Sequence, residues 1–77
     1  MLEKYKYLKH LNNVVLYQLL KKTKLTDDEY WVLKYTLINK NLVENTCMRL
    51  SISKSTYRNI YNMALYKINE TFERLIF

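Results

Sequence analysis

Ser53, Lys54, Ser55, Thr56, Arg58, Asn59 and Asn62 are gathered into one ten-residue stretch of the chain. These residue types suit recognition of a polyanion with edges to read. Arginine pairs bidentately with guanine, asparagine with adenine, and serine or threonine hydroxyls reach either base or phosphate. No acid falls between residues 51 and 69 to face a phosphate unfavourably. Covalent chemistry has far less support. Cys47 and His10 are the only cysteine and histidine, so they make at best half of a tetrahedral zinc site. No Ser-His-Asp, Cys-His or paired-carboxylate arrangement is present. The chain contains no glycine, which removes the phosphate-cradling loop and the dinucleotide fingerprint. The expectation is a binding protein and not an enzyme, with no catalytic residues, no cofactor and no metal.

The reading residues must be held by a helix. Tyr57, Ile60, Tyr61, Ala64, Leu65, Ile68, Phe72 and Leu75 recur at spacings of three and four, which predicts a helix over 54–75. Ser53 stands before it as an N-cap, and Ser55, Arg58, Asn59, Asn62 and Tyr66 fall on the opposite face. A short helix over 42–50 precedes it, with Asn41 and Glu44 spaced as a capping box and Leu42, Val43, Thr46, Cys47 and Leu50 on its apolar side. Further upstream, Thr26-Asp27-Asp28-Glu29 has the form of a capping box that opens a helix over 26–40. Its three acids suit the positive end of the helix dipole, so the cluster reads as capping chemistry and not as a metal site. The first helix is expected over 2–22, with Met1, Tyr5, Leu8, Leu11, Val15 and Leu19 near one face and Asn12-Asn13 marking a bend. No strand is expected. The absence of glycine and proline argues for helices joined by short turns of Asn, Ser and Thr. The whole chain of 77 residues has room for one all-α domain of about four helices.

A short helix, a turn of about three residues and a longer helix make a helix-turn-helix. Cys47 is small enough for close approach of the two helices, and Ile52 in the turn plugs the gap. Residues 45–68, NTCMRLSISKSTYRNIYNMALYKI, resemble the helix-turn-helix of bacterial sigma factor region four, whose relatives include phage-encoded sigma-like regulators and LuxR-type effector domains. Leu50, Ile52, Ser53, Thr56, Ile60, Ala64 and Leu65 match the family pattern directly. Cys47 stands where that family usually has Ala, and Tyr57 where it has Val. Leu25 to Glu29, followed by Val32-Leu33, resembles the helix that precedes the motif. The resemblance spans about residues 25–70 and does not extend to residues 1–24, which are expected to form an N-terminal amphipathic helix of the same domain. Ser51 departs from the pattern by replacing the usual turn Gly. Asn45 and Thr46 replace a common Glu-Ile. The chain has no room for promoter-melting domains, so the resemblance implies a regulator from a phage or mobile element and not a complete sigma factor. It also implies that Lys54, Ser55, Thr56, Arg58 and Asn59 meet bases and phosphates.

Net charge is +6, which suits a nucleic-acid partner. The charge is uneven: residues 1–24 carry +5, residues 25–50 carry −1 and residues 51–77 carry +2. The expected partner is double-stranded DNA, with the helix from Lys54 in the major groove. RNA polymerase is a second expected partner, and a protein-docking module with a sigma-like surface is the alternative to a DNA reader. Surplus apolar residues on 1–20 and at Leu75-Ile76-Phe77 predict a homodimer. Trp31 reads as half-buried or as an interface residue. No apolar run reaches the ~20 residues that span a bilayer, so no membrane is expected. The N-terminus lacks a signal-peptide core, which predicts a cytoplasmic protein with a reduced Cys47.

Overall fold

The computed structural model describes residues 7, 8 and 10–76, the last without its side chain. It is an all-α domain in which three shorter helices pack on one long one, and no strand occurs among the described residues. Helix α1 spans Asn13–Lys22, α2 spans Asp27–Leu33 and runs on through a π-helical stretch Lys34–Ile38, α3 spans Val43–Leu50, and α4 spans Lys54–Ile76.

The first helix is shorter than its apolar pattern. Asn12 ends the preceding turn and caps α1, its side-chain oxygen accepting the Val15 N–H at 2.9 Å. An Asn side chain offers the backbone this local alternative, and so it starts helices more readily than it continues them. Before it, Tyr7, Leu8 and His10 lie in a tight 3₁₀-type turn, closed by the Leu11 N–H on the Leu8 carbonyl at 3.4 Å. Leu8 is nonetheless fully buried. The apolar stripe expected along one helix over 2–22 is therefore split between a turn and α1. Met1 and Tyr5, expected on the same stripe, lie outside the described residues, as does the side-chain packing expected of Ile76 and Phe77.

The capping box of α2 forms as the sequence predicts. The Glu29 N–H donates to Thr26 Oγ1 at 3.2 Å, and the Thr26 N–H donates to Glu29 Oε1 at 2.9 Å. Its far end widens into a π turn in which the Asn39 N–H reaches the Lys34 carbonyl at 3.0 Å. Lys40 then takes the left-handed conformation, φ 58°, and ends the helix.

The capping box expected at Asn41 and Glu44 does not form. Leu42 occupies the N-cap position of α3 and gives no side-chain bond, while Thr46 Oγ1 turns back to the Leu42 carbonyl at 3.2 Å. The Asn41 N–H is instead drawn to the Tyr35 carbonyl at 2.9 Å, which ties it to the end of the preceding π turn.

The core is one cluster. Leu8, Leu16 and Leu19 meet Val32, Leu33 and Leu37 from the second element and Tyr57, Tyr61, Ala64, Leu65 and Ile68 from α4. The buried residues of α4 follow the expected phase. Ile60 is only half-buried at the edge of the cluster, and Leu75 is exposed. Polar pairs also tie the second element to α4. Thr36 and Tyr57 share a hydroxyl hydrogen bond of 2.8 Å, and the Lys67 ammonium donates to Glu29 Oε1 at 2.8 Å. Burial by itself would raise the Glu29 carboxyl, but the hydrogen bonds from Lys67 and Thr26 together with the Lys67 charge outweigh it and hold the group below its ordinary range. Burial also raises the Tyr57 hydroxyl, against the Thr36 hydrogen bond, and pushes Tyr61 up to about 12. Both rings stay neutral at physiological pH, as they must in a desolvated stack with centroids 5.5 Å apart.

Candidate nucleic-acid interface

The candidate face is built by the join between α3 and α4. Ser51 closes α3 in the left-handed conformation, φ 56°, ψ 46°. The Ile52 N–H then reaches the Cys47 carbonyl at 3.0 Å and the Ser51 N–H reaches the Met48 carbonyl at 3.3 Å. Those two bonds are the pattern of a Schellman closure, which satisfies the last carbonyls of α3. Glycine normally takes this position because it has no Cβ to clash; here serine accepts the strain. Ile52 is half-buried and packs against the core cluster. Cys47 is buried, free of any disulfide, and lies with its Sγ 3.9 Å from the Ser53 carbonyl.

Helix α4 begins at once. Ser53 Oγ accepts the Thr56 N–H at 3.1 Å and donates to Thr56 Oγ1 at 3.0 Å, and the Tyr57 N–H bonds the Ser53 carbonyl at 2.9 Å. Burying Tyr57, Tyr61, Ala64 and Leu65 turns the other side of the helix outward. Ser53, Lys54, Ser55, Thr56, Arg58 and Asn59 are all exposed there, beside Met63 and Tyr66. The candidate residues are brought together on the first three turns of one helix, in surroundings the α4 sequence keeps free of acid as far as Glu70.

They are not equivalent. Ser53 and Thr56 spend their hydroxyls largely on capping. Arg58, Asn59 and Ser55 project from the face without any such use. Asn62 is half-buried on its margin, and its Oδ1 is buried with no hydrogen-bond partner among the described residues. Bidentate pairing with adenine would require that oxygen to accept from the base, so this placement makes Asn62 the weakest candidate of the set. Tyr61 carries a second buried oxygen, its hydroxyl, with no hydrogen-bond partner among the described residues.

An acid does reach the face, from outside α4. Glu44 Oε1 lies 3.6 Å from Lys54 Nζ. Glu44 precedes Lys54 by ten residues and belongs to another helix, so no sequence spacing announces the contact. The same two residues line a shallow cleft of about 350 Å³ with Leu42 and Val43, where the starts of α3 and α4 meet.

Six other cations among the described residues lie elsewhere. Lys22, Lys24, Lys67 and Arg74 line a small cleft at the opposite end of α4. At 1.5 Å per residue, Lys67 and Arg74 stand roughly 20–30 Å along the helix from Lys54. Near physiological salt that separation exceeds the Debye length of about 8 Å. Lys22 and Lys24, which share that cleft, are therefore not part of the α4 face. Arg49 and Lys34 are occupied by aromatic rings: Arg49 lies 5.7 Å from the Tyr35 centroid and Lys34 5.1 Å from that of Trp31. Trp31, partly exposed, stacks on Tyr35 at 5.6 Å.

Among the described residues no group of three or more His, Cys, Asp or Glu side chains could hold a metal ion. No helix among them is long and apolar enough to cross a membrane. No protein-family model, curated protein or solved structure matches the chain.

Proposed function

We propose that this protein is a sequence-specific DNA-binding transcriptional regulator whose α4 enters the major groove as a recognition helix. One observation carries the reading: the first turns of α4 expose Ser55, Arg58 and Asn59 on a face with no acid of its own, directly after a tight three-residue join to α3. Arg58 and Asn59 lie about one turn into the helix, at the depth from which side chains reach base edges. Lys54 and the N–H groups of the first turn stand at the helix start, where a phosphate fits. The resemblance to sigma factor region four points the same way and suggests a regulator from a phage or mobile element, acting in the cytoplasm. As a homodimer it would address two half-sites about one helical turn, roughly 34 Å, apart.

The test is a fluorescence-anisotropy titration of the protein against duplexes selected from a random pool. Arg58→Ala is expected to cost roughly 1–3 kcal/mol of specific binding and to relax the preference at one base pair. Lys54→Ala is expected to weaken binding to all sequences alike and to lower the salt slope. Absence of duplex binding by the unaltered protein at low salt would end the DNA reading.

A second reading is favoured by a separate observation. Leu42 at the N-cap of α3 and Met48 within it are 70% and 78% exposed. Apolar side chains left in water at α3 suit docking on another protein, RNA polymerase among them. Retention on polymerase without duplex binding would select that reading.

A further inference from the structure

We propose that Glu44 restrains Lys54 and thereby lowers the affinity of the α4 face for DNA backbone of any sequence. The inference rests on the DNA-binding reading and concerns regulation of that same face. Lys54 occupies the first turn of α4, where the positive end of the helix dipole disfavours a cation. Glu44 occupies the first turn of α3, where the same effect favours an anion. The Schellman turn at Ser51 brings the two helix starts together, and the carboxylate oxygen rests 3.6 Å from the ammonium nitrogen. That spacing is an ion pair without a hydrogen bond. Both side chains are open to solvent, Lys54 at 68% and Glu44 at 73%, so a phosphate has access to the same ammonium.

A phosphate that engages Lys54 must first displace Glu44 from it. Exposed pairs of this kind shift an equilibrium by a factor of about 1.5 to 5. The penalty falls on every duplex equally, because Lys54 stands at the backbone and not at a base edge. Occupancy of random DNA is held down while the contacts of Arg58 and Asn59 are untouched.

Glu44→Gln removes the charge at nearly constant shape. Expected is a gain of about 1.5- to 5-fold in affinity for selected and scrambled duplexes alike at low salt, fading as salt screens the pair. The gain should vanish when Lys54→Ala is already present. Glu70→Gln is the control, since it changes net charge identically and also breaks an ion pair, with Arg74 at 3.5 Å. It sits about 24 Å along α4 from Lys54 and should give no comparable gain. Thermal melts followed by circular dichroism establish that each variant is folded, with Glu44→Ser as a second neutral variant. If the unaltered protein binds no duplex, the DNA reading itself falls. If it binds and Glu44→Gln and Glu44→Ser leave affinity unchanged, or if the gain persists with Lys54→Ala, or if Glu70→Gln matches it, the role of Glu44 is overturned while DNA binding stands.

Discussion

Replacing Lys67 by Met tests how α2 is locked to α4. Glu29 accepts the Lys67 ammonium at 2.8 Å on the same oxygen that caps α2 through the Thr26 N–H. Its side chain is 9% exposed and that of Lys67 is 34% exposed. Breaking a fully buried pair by removing one partner costs roughly 3–5 kcal/mol, whereas an exposed pair is worth about 0–1. One partner here is buried and the other partly open, so Lys67→Met should cost about 2 kcal/mol. A chain of this length is stable by about 4–12 kcal/mol in total, and the loss should lower Tm by about 8–16 °C. Glu29→Gln should cost less, about 1 kcal/mol, because its amide oxygen can still cap Thr26 and the freed Lys67 reaches water. The double variant should be no worse than about 1.5 kcal/mol, since no stranded carboxylate remains, giving a coupling of about 1–2 kcal/mol. Chemical denaturation at pH 7 measures all three. The acid limb adds a second readout. The folded Glu29 titrates below its ordinary 4.5, so its contribution is present above that pH and is lost as pH falls through the lower folded value. The gap between wild type and Lys67→Met should therefore narrow in that acid range. Losses that simply add, or an unchanged Tm for Lys67→Met, would refute the lock.

Ser51→Gly should stabilise the fold. The left-handed conformation costs serine about 1–3 kcal/mol, and glycine returns about 0.5–1 of that through unfolded-state entropy, leaving a gain near 1 kcal/mol in a thermal melt. A fall in Tm would mean that the serine side chain supplies more than the strain takes. Leu65→Ala should cost about 2–5 kcal/mol, as expected for a buried leucine, and half-buried Ile60→Ala should cost clearly less; equal losses would show that the phase of α4 is misassigned. Tyr61→Phe deletes a buried hydroxyl that has no partner among the described residues, so calorimetry should find it neutral or stabilising. It should also remove part of the alkaline loss of stability. The folded Tyr61 titrates near 12, so its contribution holds below the ordinary tyrosine value and is lost as pH rises toward 12.

What the sequence by itself determined is local. Thr26 and Glu29 cap α2 three residues apart, Ser53 caps α4, and the threes and fours of Tyr57, Tyr61, Ala64, Leu65 and Ile68 orient that helix and so expose Arg58 and Asn59. Each depends on groups within about one helical turn, where backbone geometry alone decides who can meet. Asn12 carried a comparable signal, as a cap inside an apolar stripe, yet the stripe continued through it because Leu8 is buried from a turn as well as it would be from a helix. Tertiary structure decided everything that joins residues far apart in the chain. Glu29 meets Lys67, Thr36 meets Tyr57 and Glu44 meets Lys54 because helix packing brings them together, and no periodicity encodes those distances. The same packing drew the Asn41 N–H to Tyr35 and left α3 without its expected cap. It also turned the Asn62 oxygen inward. A side chain on the rim of a helical face can point either way, and only the neighbours pressed against that rim choose.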